Sequence, residues 1–332
     1  MVVDEEVAGV GAESGTPTDA DPPRPAVVEV VSRALAEDLL PMGDLTAGLV
    51  PPGTRRVVAV VSRSAGIVAG RACAEEVFAQ VDPTIGVDWR LADGSPVSAG
   101  SVVAVIDGPL RSILTAERSV LNLLCHLSGV ATLTRRFVDA VAAVNPAVRV
   151  LDTRKTLPGL RALQKAAVRA GGGANHRGSL SEAVLVKDNH LGGLTISHAV
   201  ATARRRWPGR MVEVECDAPD QVVEAVAAGA TVIMLDNMSP DEAANCVDIV
   251  RRDGPGILVE VSGGLTLELA PSYAAAGVDL VSVGALTHSA PALDLAFDLA
   301  ADHAAGQAAG QAAGQVPGPT APDPPTPDRQ GS

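Results

Sequence analysis

Six short apolar runs, at residues 148–153, 183–188, 211–216, 231–236, 257–262 and 279–284, alternate with stretches such as 196–207, 219–228, 241–252 and 267–276, whose apolar residues recur at helical spacing. Apolar runs of that length suit strands covered on both faces, the environment of a parallel sheet flanked by helices. Consecutive parallel strands need a long crossover, and the intervening helices supply it. The second half of the chain is therefore expected to form repeated βα units, as an open sheet or a barrel. A polar or small residue stands at or just past nearly every strand end: Asp152 with Arg154 and Lys155, Lys187 with Asp188, then Glu215, Asp236, Ser262 and Gly284. Six strand ends converging on one rim favour a barrel with its chemistry at the C-terminal face. No run leads into GxGxxG or a P-loop, so neither nucleotide fingerprint is read.

The first half has a different grammar. Residues 26–39 carry a helical pattern with Pro25 suited to the first turn, and 41–52, containing GDLT and prolines, reads as a loop. Strand-like runs at 56–61, 66–68, 87–91, 96–97 and 102–106 surround a helical pattern at 72–80. Thr115 stands where an N-cap belongs, ahead of a helical run over 116–144. Arg118 would then lie in the first turn, where a cation opposes the helix dipole and needs another charge to hold it. These elements predict a small α/β domain over 25–128 and a catalytic domain over 129–303, whose last helix packs back on the first domain. Residues 1–24, acidic and rich in small residues and Pro, and the tail at 304–332, with its AAGQ repeats and Pro-rich end, are expected to be disordered.

Composition narrows the partners. A net charge of −13 argues against duplex nucleic acid or an anionic membrane, both of which call for a basic face. Cys73, Cys125, Cys216 and Cys246 form no CxxC pair and read as reduced, buried thiols. With no signal-peptide pattern and no apolar stretch of spanning length, the expected location is the cytoplasm.

Within this acidic chain, residues 152–190 hold seven Lys or Arg against three Asp or Glu, which suggests an anion pocket. Arg154 and Lys155 follow a strand; an Arg fork and a Lys point charge together suit a substrate with two kinds of anion. Gly171, Gly172 and Gly173 lead into Asn175, His176 and Arg177, where backbone amides could approach an anion, or the glycines could be a flexible connector. Lys187 closes an apolar strand and could bind an anion or form a Schiff base in the manner of an aldolase. Glu215 and Asp236 could hold ribose hydroxyls or Mg²⁺, or simply pair with nearby cations. Ser262-Gly263-Gly264 and Val283-Gly284-Ala285 end the last two strands, where barrels of this kind bind phosphate.

The motifs DTRKT-PGLR, GGG-NHR, KDNH, VEVE, LDN, EVSGG and SVGALTHSAPALD, in this order and spacing from about GDLT at 43 to Asp294, resemble the quinolinate phosphoribosyltransferase family. The resemblance implies an incomplete (β/α) barrel with a smaller N-terminal α/β sandwich. It also implies transfer of phosphoribose from phosphoribosyl pyrophosphate to quinolinate, with release of pyrophosphate and CO₂ to give nicotinate mononucleotide. A homodimer, and potentially a larger assembly, would share its sites, with Arg118 reaching the neighbouring subunit. By the same matching Arg154, His176, Arg177 and Lys187 would hold the quinolinate carboxylates. Thr153, Lys155, Glu215, Asp236, Ser262, Gly263, Gly264, Val283, Gly284 and Ala285 would surround phosphoribosyl pyrophosphate with its Mg²⁺. Lys155, Lys187, Glu215 and Asp236 are the expected catalytic groups. Leu157 replaces a usual second Thr, and Ala174 a usually larger residue, which puts the geometry of both substrate loops in question. The rivals are a related transferase acting on another ring acid and a catalytically silent phosphate-binding barrel.

Overall fold

The computed structural model describes residues 21–299; the disorder expected for residues 1–24 and 304–332 lies outside them except at 21–24, where Arg24 instead opens a helix. The described chain opens with α1 (Arg24–Leu39), which has Pro25 in its first turn and buries Val27, Val31 and Leu35. There follow β1 (Arg55–Ser62), β2 (Gly66–Ile67), α2 (Arg71–Val81), β3 (Gly86–Trp89), β4 (Pro96–Val97), β5 (Val102–Pro109) and the long helix α3 (Leu110–Ala142). α3 begins directly after Pro109, so Thr115 lies inside the helix and not at its N-cap. Its hydroxyl donates instead to Asp44, 3.0 Å away. Arg118 consequently sits well beyond the first turn, and the dipole does not act on it as the sequence reading expected.

Beyond α3 the βα alternation is regular: β6 (Arg149–Leu151), α4 (Arg161–Ala170), β7 (Val184–Val186), α5 (Asp188–Leu191), α6 (Ile196–Arg206), β8 (Val212–Cys216) and α7 (Pro219–Ala228). The remainder is β9 (Val232–Asp236), α8 (Pro240–Asp253), β10 (Leu258–Ser262), α9 (Ala270–Ala275), β11 (Leu280–Ser282), α10 (Ala285–His288) and β12 (Leu295–Leu299). Ser239 and Glu242 form a capping box at the start of α8, and Gly229 closes α7 in the left-handed region.

Six strands form one parallel sheet in the order β6-β11-β10-β9-β8-β7. The two edge strands are consecutive in sequence, so the sheet runs round once and stops one pairing short of closure. Ala174 partly fills the gap through a parallel bridge to Leu151. Curvature is evident because His176 reaches Glu213 on β8 and Glu260 on β10, strands separated by β9. This is an incomplete (β/α) barrel. On β8 and β9 the alternate residues Val214, Cys216, Ile233 and Leu235 are buried under the outer helices, which is why those runs read as apolar.

The smaller sheet is antiparallel, in the order β12-β1-β5-β3. Its edge strand β12 comes from the far end of the chain and pairs with β1 from Val58↔Leu299 to Ser62↔Leu295. The sequence reading kept this segment with the barrel and expected a helix to return; within the described residues a strand does so. Its pairing energy is non-local, and nothing adjacent in sequence signals it. The return path crosses α3 closely, since a Cβ on Gly129 would stand 2.1 Å from the Pro291 carbonyl oxygen. α3 thus forms a spine shared by both sheets. Among the described residues no helix is long and apolar enough to cross a membrane.

Candidate active site

Alternation along the barrel strands sends every second side chain inward. The inner set is Leu185 on β7 and Lys187 just past it, Glu213 and Glu215 on β8, Met234 and Asp236 on β9, and Glu260 and Ser262 on β10. Barrel interiors are ordinarily filled by Val, Ile and Leu. Here the upper layers are polar, and they enclose a cavity of about 330 Å³ at the C-terminal face. Of the residues expected from sequence, Thr153, Arg154, Lys155, His176, Arg177 and Lys187 line it. Glu215, Asp236 and Ser262 line it as well. Gly284 borders the same space, because a Cβ there would meet the Lys155 Cδ at 3.1 Å. Gly263 has φ +98°, and an added Cβ would collide with the Asn237 side chain at 2.2 Å, so this strand exit requires glycine. Arg118 is exposed on α3 and does not line its own chain's cavity.

The cations divide into two groups. Arg154 and Arg177 crowd one another, and each has a buried Nε without a hydrogen-bond partner. Burial, then the charge of Arg154, pull the Arg177 guanidinium below its ordinary value. An anion between them would relieve both effects. Lys187 pairs with Glu215 from the adjacent strand at the cavity wall instead of standing in the apolar surroundings that free an amine for imine chemistry. Arg161, Lys165 and Arg169, counted in the sequence reading as part of an anion pocket, do not line the cavity. They bond to the loops themselves.

The glycine triplet also departs from expectation. The amides of Gly171, Gly172 and Gly173 donate to Ala167, Arg169 and Val168 carbonyls, closing α4, so they are not available to an anion. Nor is the triplet a loose connector: a Cβ on Gly171 would stand 2.5 Å from the Ala131 carbonyl oxygen. The two family departures prove to be backbone positions. The Leu157 amide donates to the Gln164 side chain at 3.0 Å, and Ala174 is held by backbone bonds to Val150 and Asp152. Neither contact depends on the side chain.

Sequence reasoning missed the floor. Glu213 and Glu260 are each 1% exposed, and His176 Nε2 lies 3.0 Å from the first and 3.6 Å from the second. The approach to Glu213 is off the hydrogen-bond axis, and both Glu213 oxygens, Glu260 Oε1 and Ser282 Oγ lack partners. Burial, then the Glu213 charge, push the Glu260 carboxyl up to about 7. For His176 burial pulls downward, but contact with Glu213 and the charges of Glu260 and Glu213 outweigh it, so its value is raised. The Nδ1 of His176 accepts the Arg177 amide at 2.8 Å, which directs Nε2 and its proton toward the carboxylates. The three atoms lie within 4.8 Å of one another, and the raised values of His176 and Glu260 are those of a cluster that retains protons to offset its carboxylate charge. The available signal was the alternation itself: Glu213 faces the same way as Glu215, and Glu260 the same way as Ser262.

Hard oxygen donors gather beside this cavity. A smaller one, of about 160 Å³, is lined by Asp188, Glu215, Asp217, Gln221 and Asp236. Such a donor set fits Mg²⁺.

Comparison with known proteins agrees with this arrangement. Residues 44–128 match the profile of the quinolinate phosphoribosyl transferase N-terminal domain, and residues 130–298 match that of its C-terminal domain. A carboxylating nicotinate-nucleotide pyrophosphorylase of Mycobacterium leprae is 42% identical over 279 residues, covering 81% of this chain and 96% of the relative. A probable enzyme of the same name from Bacillus subtilis is 40% identical over 256 residues, covering 76% of this chain and 87% of the relative. The solved nicotinate-nucleotide pyrophosphorylase of Francisella tularensis superposes with a TM-score of 0.80 at 38% identity, covering 86% of this chain and all of the other (100%). On two profile matches that together span most of the sequence, the chain belongs to the quinolinate phosphoribosyltransferase family.

Proposed function

We propose that the protein transfers phosphoribose from phosphoribosyl pyrophosphate to the ring nitrogen of quinolinate, with loss of CO₂, to give nicotinate mononucleotide and pyrophosphate. "Carboxylating" in the relatives' names describes the same reaction in reverse. The observation that carries the reading is the shared cavity in which Arg154, Arg177, Lys155 and Lys187 face Glu215 and Asp236. A dicarboxylate and a polyphosphate entering together bring several negative charges, and only a local concentration of cations makes such a site tenable in a chain of net charge −13.

Arg154 and Arg177, crowded together, would clamp the vicinal carboxylates, with His176 bracing Arg177 from behind. Lys155 and the turns at 262–264 and 283–285 would face the phosphates. As the C1–O bond to pyrophosphate breaks, positive charge develops at C1, and Glu215 and Asp236 would stabilise it directly or through the ribose hydroxyls. The ring nitrogen then bonds to C1. Its positive charge accepts the electron pair released when the adjacent carboxylate leaves as CO₂, and that ring carbon takes up a proton. Positioning and electrostatics supply most of the rate. Glu215 and Asp236 would hold Mg²⁺ together with the diphosphate, and the metal would supply charge neutralisation of the leaving group. Arg118, exposed on α3, would enter the cavity of a second copy, making the working unit a homodimer. This reading places the enzyme in the cytoplasm with its soluble substrates.

The test is an incubation with quinolinate, phosphoribosyl pyrophosphate and Mg²⁺, following nucleotide and CO₂ together. Equimolar formation is expected. Product from nicotinate but not quinolinate would move the protein to the related transferase, and no turnover of either acid would favour the silent barrel.

A further inference from the structure

The cations that miss the cavity have a task of their own. Arg161, Gln164, Lys165 and Arg169 stand at i, i+3, i+4 and i+8 along one side of α4, and each bonds to a loop that carries cavity residues. Arg161 touches both arginine loops, as Lys165 does nearer their bases through Asp152 and the His176 carbonyl. Its Nε donates to Thr156 Oγ1 at 3.1 Å and its Nη2 to the Arg154 carbonyl at 3.3 Å, both in the loop after β6. Its Nη1 donates to the Gly178 carbonyl at 3.1 Å, immediately past His176 and Arg177. Among the described residues it forms no ion pair. Gln164, fully buried, clamps the far end of the first loop: it accepts from Leu157 and donates at 2.6 Å to the Thr287 carbonyl. Thr287 Oγ1 in turn donates to the Lys155 carbonyl at 2.9 Å.

We infer that Arg161 is a positioning residue that fixes the separation of Arg154 from Arg177, and so sets the span of dicarboxylate the enzyme recognises. This deepens the proposed function and rests on it. A planar guanidinium can hold acceptors in two loops at once, in a fixed geometry; an ammonium in the same place has the charge without the fork. Asp152 and Lys165 still join the loops near His176, but the two arginines repel one another, so without Arg161 the outer parts of the loops relax apart and the clamp widens. Phosphoribosyl pyrophosphate, gripped largely by other strand ends, feels the change less.

The experiment compares steady-state kinetics and melting of the intact wild type, Arg161→Ala, Arg161→Lys and the milder Thr156→Val. Arg161→Ala is expected to raise the KM for quinolinate at least tenfold, equivalent to about 1.4 kcal/mol, the scale of one lost hydrogen bond. Its kcat and its KM for phosphoribosyl pyrophosphate should change by no more than about threefold. Arg161→Lys should fare no better than Ala, and Thr156→Val should shift the same KM by about two- to threefold. Millimolar guanidinium should restore the Ala variant, and methylammonium should not. A folded Arg161→Ala with unchanged quinolinate KM overturns the inference. So does a Lys variant that behaves as wild type, which would reduce the role to charge, or a loss of kcat and stability together without rescue, which would reduce it to a fold strut. If the Ala variant does not fold, Thr156→Val carries the decision. Absence of quinolinate turnover in the wild type would instead defeat the functional reading and is seen before any variant is made.

Discussion

Two lysine–carboxylate pairs in the same barrel show how burial assigns different work to the same chemistry. Lys165 with Asp152 is dry, with side chains 8% and 0% exposed. Lys187 with Glu215 stands at the cavity wall, 35% and 14% exposed. The dry pair is embedded in a network: His176 N–H and Asn175 donate to Asp152, while Lys165 also donates to the His176 carbonyl at 2.7 Å. Burial raises the Asp152 carboxyl and lowers Lys165, each opposed by the partner's charge. Neither can leave without stranding the other in a low dielectric. The open pair has water at its edge, so in the proposed reaction an entering anion would take Lys187 from Glu215 at small cost and release the carboxylate toward the ribose. On that proposal the dry pair is scaffold and the open pair machinery.

Breaking the dry pair should have the largest effect. Lys165→Met leaves Asp152 buried and alone, and denaturant titration should show a loss of about 3–5 kcal/mol. A loss below about 1 kcal/mol would mean that the network tolerates the charge and the contrast fails.

The floor sharpens the contrast next. Between the ordinary carboxylate value of 4.5 and about 7, the folded protein retains a proton at Glu260 that the unfolded chain has released. Stability at this residue therefore falls as pH rises through that window and levels off above it. Glu260→Gln should flatten that slope and gain on the order of 2–3 kcal/mol at pH 8, read from melting curves across pH. An unaltered pH profile would show that Glu260 does not hold the proton.

Lys187→Ala should behave oppositely to Lys165→Met: kcat/KM down by about a hundredfold, with stability altered by less than about 1 kcal/mol. Should it unfold the protein as Lys165→Met does, the distinction between the pairs is lost. The smallest signal tests sharing between chains. Arg118→Ala and Lys187→Ala, each inactive alone, should recover about a quarter of wild-type activity when mixed, because half the dimers are mixed and each has one intact site. Failure to recover after confirmed subunit exchange would place Arg118 outside the partner's site.

Much of the cavity was legible because parallel strands advertise themselves. Apolar runs ended by Arg154, Lys187, Glu215 and Asp236 could only bring those residues to one rim, and the structure gathers them there. Glu213 and Glu260 were passed over because, inside an apolar run, a single acid looks like noise until the inward face of the strand is known. Thr115 was misread as a cap because Ser, Thr and Asp signal helix starts only when nothing upstream continues the helix, and here five residues from Leu110 do. Arg161, Lys165 and Arg169 were counted with the site because charge counting along a chain cannot tell which side of a helix a side chain leaves.

By itself the sequence determined the βα order, the parallel sheet and the identity of the residues at its C-terminal rim, since periodicity and strand ends are local properties of the chain. Tertiary structure decided which strands meet at the gap between β6 and β7, that β12 returns to the antiparallel sheet, and which lysine is sealed from water. Those outcomes depend on contacts between residues far apart in sequence and on the dielectric they create, and neither quantity exists until the chain has folded.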